Sequence, residues 1–348
     1  MNIFYQELLN ELESQSTLYQ PSVFWREASK LMIEELSEKG VAHFRNLPSA
    51  LNFFVPTYGY PGNALPEETM HSLKKFVESQ GLSLKQQNYL NAFLSGYSAA
   101  LADYRVLCAS EHANNKSPDL LKFSESEIGS PIEHFDIEGK QYSRSSLNYL
   151  LGLSFLKKYT DLEEIGSILE IGGGFGTLGE IVYQTMPNTS YINIDIPPTI
   201  FCSEYYLKNI VMQENFSEYS QLKDNDEIFI DQLKKITVLP SWKIEALRGK
   251  IDLFVNFISF QEMEPEIVKN YLDNIDRLKA KWILLRNMRE GKQLRSQHRF
   301  GVDKPIFSED YEHMLPNYQL VTKNVIPFGF KTADGFHSEI MLFKSKEV

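Results

Sequence analysis

Residues 170–176 read E-I-G-G-G-F-G, directly after the apolar run Ser167 to Ile171 and just ahead of a helical pattern that opens at Thr177. A strand that ends in a glycine cluster at a helix start brings bare backbone and unpaired N–H groups close to whatever binds there. A close-packed turn needs glycine for its backbone geometry alone. Gly172, Gly173, Gly174 and Gly176 together exceed what one turn requires, so the segment reads as a nucleotide-type cofactor site.

The pattern around this cluster sets the fold class. From Ser167 onward strands alternate with helices, which predicts a parallel, doubly wound α/β sheet with right-handed crossovers. Strands are expected at Ser167 to Ile171, Ser190 to Ile196, Ile236 to Leu239, Ile251 to Phe257 and Trp282 to Asn287. Helices are expected at Thr177 to Met186, Thr199 to Lys208 and Pro265 to Lys279. The last two apolar runs, Leu320 to Phe328 and Ser338 to Lys344, are separated by K-T-A-D-G-F, which predicts a closing antiparallel hairpin.

Upstream, helical spacing recurs at Phe4 to Leu12, Val23 to Leu36, Glu67 to Val77 and Leu84 to Leu107, with another helix at Ser146 to Tyr159. The prolines and glycines of Leu47 to Ala64 predict an ordered loop without regular structure that approaches the substrate. Asn114 to Lys140 reads as a polar linker with a short hairpin ending at E-G-K. The expected division is a mainly helical cap over 1–140 and a Rossmann-like domain over 141–348.

Charge chooses between cofactors. G-x-G-x-x-G can be scanned over Gly174, Gly176 and Gly179, with Asp195 about 20 residues on, which satisfies the dinucleotide fingerprint. Glu170, however, precedes the glycines, and its carboxylate is expected to face whatever lies over the turn. It would repel a pyrophosphate and attract the sulfonium and amino group of S-adenosylmethionine. The segment resembles motif I of the class I S-adenosylmethionine-dependent methyltransferases, with Asp195 standing where that family places its ribose-binding acid. Asp195 also suits a plain helix cap. An NAD-dependent oxidoreductase remains the alternative, as does a non-catalytic protein that keeps the fold.

With 348 residues and a formal charge of −11, the chain has material for a full core and no basic stripe for nucleic acid. Cys108 and Cys202 show no metal-ligand spacing, which predicts free thiols, a cytoplasmic setting and no structural zinc; carboxylates are plentiful enough for Mg²⁺, but no dedicated ligand set is legible. The most apolar window, Ile251 to Phe260, is about half of the ~20 residues that a membrane-spanning helix needs, so no membrane insertion is expected. A homo-oligomer is compatible with these numbers.

Candidate catalytic residues follow the later strands. Glu262 and Gln261, in N-F-I-S-F-Q-E-M at the end of the fourth strand, stand where they would orient or deprotonate an acceptor hydroxyl; Glu262 would also suit the first turn of the following helix. His298, in a polar segment after the fifth strand, is the candidate general base, with an ordinary exposed histidine as the bland reading. His337, in the hairpin loop, ranks below it. Arg144 is positioned to clamp a carboxylate of the cofactor, or else is a solvated arginine at a helix start. Phe53, Phe54, Tyr58 and Tyr60 are candidates to stack on an apolar sugar face.

L-E-I-G-G-G-F-G, I-D-I-P-P-T followed by E-Y-Y-L, S-F-Q-E-M-E-P-E, and Tyr271 with Leu272 together resemble the sugar O-methyltransferase family over roughly Gln141 to Asn287. That resemblance implies methyl transfer from S-adenosylmethionine to a hydroxyl of a sugar or glycan precursor, in polysaccharide biosynthesis. The glycine motif, Asp195 and S-F-Q-E-M align with it residue by residue.

Overall fold

In the computed structural model, residues 3–58, 67–297, 300–332 and 335–347 are described. The N-terminal part carries helices α1 (Ile3–Glu13), α2 (Val23–Lys39), α3 (Pro48–Phe53), α4 (Glu67–Ser79), α5 (Leu84–Leu94) and α6 (Tyr97–Asn114). A hairpin of β1 (Phe135–Ile137) and β2 (Lys140–Tyr142) leads into α7 (Arg144–Leu156). Then follow β3 (Ser167–Ile171), α8 (Thr177–Thr185), β4 (Ser190–Asp195), α9 (Thr199–Ile210), β5 (Phe216–Ser217), the single turn α10 (Tyr219–Leu222) and β6 (Ile228–Phe229). The chain finishes with β7 (Ile236–Pro240), β8 (Leu247–Arg248), β9 (Leu253–Phe257), α11 (Pro265–Arg277), β10 (Trp282–Met288), α12 (Ser308–Met314), β11 (Tyr318–Asn324), β12 (Phe330–Lys331) and β13 (His337–Ser345).

The main sheet runs β11-β13-β10-β9-β3-β4-β7-β5. All neighbours from β5 to β10 are parallel, whereas β13 inserts antiparallel between β10 and β11. Purely parallel dinucleotide folds continue past the fifth strand without such an insertion. This order makes the sheet a doubly wound, Rossmann-like one closed by an antiparallel hairpin. Its strands β7 and β9 are buried along their whole length, so they read as mainly apolar runs rather than alternating ones, with Thr237 and Asn256 the polar exceptions. The strand order reverses between β3 and β9, and that reversal opens a crevice at their carboxyl ends.

Several elements differ from the sequence expectation. Leu47 to Ala64 is not wholly irregular: Pro48 starts α3, because a proline at the first helical turn loses no needed N–H and already has helical φ. The helix expected at Leu84 to Leu107 is two, broken where Gly96 takes a left-handed φ of 82°. The hairpin around E-G-K has Glu138 and Gly139 as its turn and continues to Tyr142. The strand expected at Leu320 to Phe328 is β11, ending at Asn324, and α12 was not anticipated.

One apolar core runs from Leu8 to Phe343, with a small second cluster of Phe24, Trp25, Ala28 and Met32 beside it. That second cluster is the inner face of α2, which Ser22 caps by accepting from the Trp25 N–H at 3.3 Å. Among the described residues no helix is long and apolar enough to cross a membrane.

Candidate active site

A cavity of about 1030 Å³, its open mouth included, lies at the carboxyl ends of β3, β4 and β9. Its floor is the glycine turn after β3, one wall is α7 through Ser145, Asn148 and Tyr149, and the roof is Trp25 of α2 with Phe53 of α3 and the adjoining Phe54. The described lining holds two carboxylates, Asp195 and Glu262, and no lysine or arginine.

The four glycines of the turn are required for different reasons. Gly172, with φ of 70°, has no room for a side chain because a Cβ would overlap the Ser259 hydroxyl. At Gly173 a Cβ would stand 2.6 Å from both Asn193 Oδ1 and Glu170 Oε2. Gly174, with φ of 58°, faces the cavity, and a Cβ there would meet Phe54 at 3.8 Å. Gly176 does not line the cavity; its φ of 96° starts α8, and a Cβ would press on Leu207 of α9 at 2.8 Å.

Glu170 requires a correction. Its carboxylate does not face the space over the turn: the residue is fully buried, and its two oxygens accept from the Tyr149 and Tyr191 hydroxyls, each at 2.6 Å. Alternation along β3 sends this side chain into the layer under α7. Burial, opposed only in part by the two phenol donors, pushes its pKa up to about 7. The acidic character of the cavity comes from Asp195 and Glu262 instead.

Asp195 closes β4 at the crevice. Its Oδ2 accepts from the Gly174 N–H at 2.9 Å and its Oδ1 from the Ile196 N–H at 2.7 Å, so the acid is fixed against the glycine turn. Burial raises its pKa to about 6, against hydrogen bonds that lower it.

After β9 the backbone is strained and tightly held. Ile258 lines the cavity at φ 74° and ψ −34°, a conformation that costs a β-branched residue about 1–3 kcal/mol and persists only where its surroundings enforce it. The enforcement is visible. Asn256 Nδ2 donates to the Ile171 carbonyl at 2.9 Å, Asn256 Oδ1 accepts from the Phe260 N–H at 3.2 Å, and Asn287 Oδ1 accepts from the Gln261 N–H at 3.1 Å. The Gln261 side chain belongs to this scaffold: its Oε1 accepts from the Met288 N–H at 2.8 Å, and it does not line the cavity. Glu262 does line it. Its Oε1 pairs with Lys292 at 2.9 Å, its Oε2 accepts from Trp25 Nε1 at 3.2 Å, and its carbonyl accepts from the Ser22 hydroxyl at 2.6 Å.

The remaining expected residues are dispersed. Arg144 stands apart from the cavity lining, donates to the Thr57 carbonyl at 3.0 Å and lies 4.9 Å from the Phe330 ring; burial lowers its pKa. The structure therefore does not present it as a carboxylate clamp inside the cavity. His298 and Tyr60 lie outside the described residues. His337 pairs with Glu290 at 2.5 Å, away from the cavity. Tyr58 donates to Asp103 and does not line it either, whereas Phe53 and Phe54 do. Among the described residues no cluster of histidine, cysteine and acid side chains has the form of a metal site.

Sequence reading missed the α7 wall and the α2 roof. Asn148, 3% exposed, lines the cavity wall, while its Oδ1 is itself buried and has no hydrogen-bond partner among the described residues. The helix expected at Ser146 to Tyr159 marks this element, but helical spacing alone did not show which of its faces meets the glycine turn.

No protein-family model matches the chain, and no curated protein matches it. Solved structures similar to it include the pyocyanin biosynthetic protein PhzM, at 12% identity and TM-score 0.36 over 56% of this chain and 58% of that one. A SAM-dependent methyltransferase from Aquifex aeolicus aligns at 13% identity and TM-score 0.35, over 58% of this chain and 94% of that one. Magnesium protoporphyrin IX methyltransferase from Synechocystis PCC 6803, solved with bound SAH, aligns at 11% identity and TM-score 0.40, over 58% and 84%. At these values the assignment of the fold rests on strand order, and that of the site on its own geometry.

Proposed function

We propose that the chain is a cytoplasmic O-methyltransferase that uses S-adenosylmethionine and methylates a hydroxyl of a sugar or glycan precursor, with residues 1–140 as its cap. One observation carries this reading: the cavity over the glycine turn is walled by carboxylates and aromatic faces, without a lysine or arginine in its described lining. A sulfonium is stabilised by Asp195 and the aromatic faces, whereas the diphosphate of a dinucleotide would meet an aromatic roof over the turn and, beside the wall, only Lys292, already paired with Glu262. The residues fit the group. Asp195, held at the crevice, suits ribose hydroxyls.

When bound, S-adenosylmethionine supplies a methyl group activated on sulfur. The protein's part is to hold the acceptor oxygen in line, about 3 Å from that carbon, and to accept its proton. Glu262 is the carboxylate at the acceptor end. It receives the proton on exchanging the Trp25 or Lys292 contact for the hydroxyl, while Trp25, Phe53 and Phe54 offer flat apolar faces to a sugar ring.

Calorimetric titration with S-adenosylhomocysteine and with NADH tests the cofactor: the first binds and the second does not. Glu262→Gln, assayed with an accepted acceptor and labelled methyl donor, lowers turnover by about 100-fold while S-adenosylhomocysteine, which carries no sulfonium, binds as before. Tight NADH binding, or full turnover in Glu262→Gln, refutes the corresponding part.

A further inference from the structure

Glu170 is a carboxylate without direct access to the cavity, yet Tyr149, which does line the cavity, spends its hydroxyl on it. The Tyr149 ring stacks in parallel on Phe257, with centroids 5.0 Å apart, and both rings border the space beside Gly172 and Ile258. A phenol that donates to a carboxylate carries more electron density in its ring, and an electron-rich ring face attracts a cation more strongly. Tyr149 remains a donor here, because burial and the Glu170 charge hold its pKa well above the ordinary value.

We propose that Glu170 and Tyr149 act as one unit, in which the buried carboxylate enriches the tyrosine ring and makes the cavity prefer a sulfonium to the neutral thioether left after methyl transfer. The idea rests on S-adenosylmethionine being the cofactor, and deepens that reading: the site would discriminate substrate from product by charge at sulfur, which favours product release. Tyr149 is the binding residue and Glu170 a positioning residue acting through it.

Several groups bear on Glu170. From α7 there is the Tyr149 hydroxyl, and from β4 the Tyr191 hydroxyl and the Asp195 charge, which raises the Glu170 pKa. From β10, Arg286 acts on Tyr149 and sits 5.8 Å from the Phe257 ring. With Glu170 half-protonated at about pH 7, the preference for the sulfonium rises as the pH climbs through that value.

The test is the ratio of S-adenosylmethionine to S-adenosylhomocysteine affinity, measured by calorimetry on the full chain. In Glu170→Gln and in Tyr149→Phe, S-adenosylmethionine weakens roughly three- to ten-fold while S-adenosylhomocysteine stays within about two-fold, and the double variant goes no further. Equal weakening of both ligands means a merely structural role and overturns the proposal, as does an unchanged ratio. Should one variant fail to fold, the ratio measured on the other decides by the same criterion. If the wild type binds neither ligand, the cofactor assignment itself fails, and the Glu170–Tyr149 unit falls with it.

Discussion

A methyl group on Gly172 would have to occupy the position of the Ser259 hydroxyl, and Ser259 is itself tied to the Ile171 carbonyl at 3.2 Å and to Asn256 at 2.6 Å. Gly174 tolerates the same change in space, though not in φ. Gly172→Ala therefore lowers the thermal midpoint and weakens S-adenosylhomocysteine binding more than Gly174→Ala, whose cost is about 1–2 kcal/mol from the left-handed backbone alone. Thermal unfolding and titration of the two variants check this, and equal behaviour would show that the β9 loop moves aside. The glycine motif was plain in the sequence, but the reason for each glycine was not, since Ser259, Phe54 and Leu207 come from distant segments. Glu170 shows the same limit. Its place before the glycines was visible, while the two tyrosines that claim its oxygens lie 21 residues to either side.

Elements are joined by a polar centre that no motif announced. Arg45, fully buried in the helical turn Phe44–Asn46, donates to Glu125 at 2.7 Å and to Glu133 at 2.8 Å, and its guanidinium lies 4.8 Å from the ring of Phe175, which lines the cavity. Its charge holds the Glu125 carboxyl far below the usual range despite burial. Nearby, Glu180 of α8 accepts from the Ser126 N–H at 3.0 Å and from the Tyr206 hydroxyl of α9. Segment 114–140, read as a linker, thus supplies partners that bind the N-terminal helices to α8 and α9. Arg45→Ala leaves two carboxylates buried without their cation, and a loss of about 3–5 kcal/mol in chemical denaturation is expected. A change below about 1 kcal/mol would mean that water enters the gap. Local signals carried the elements themselves well, because capping, proline placement and apolar period act within a few residues. They failed at Gly96, where a left-handed glycine splits a stretch whose apolar spacing reads as continuous.

At the scale of the whole molecule, buried acids share one pH response, three of them strongly. Burial raises Glu170 and Glu180 to about 7 and Asp195 to about 6. Between the ordinary carboxylate range and these values the native state binds more protons than the unfolded chain, so stability falls as the pH rises through that window. Glu125, shifted down, changes its contribution only at lower pH. The thermal midpoint is accordingly a few degrees higher at about pH 5.5 than at about pH 8; a midpoint that climbs over this interval would contradict the burial assigned to the three acids. Sequence alone determined the parallel sheet, the closing hairpin, the glycine turn at its switch point and Asp195 at the next strand end, because apolar period and glycine placement are written locally. Tertiary structure decided which carboxylates look into the cavity. It turned Glu170 inward and Gln261 into a brace, and it brought Trp25, Asn148 and Tyr149 to the walls. Side-chain direction depends on which elements pack together, and that packing joins residues far apart in the chain.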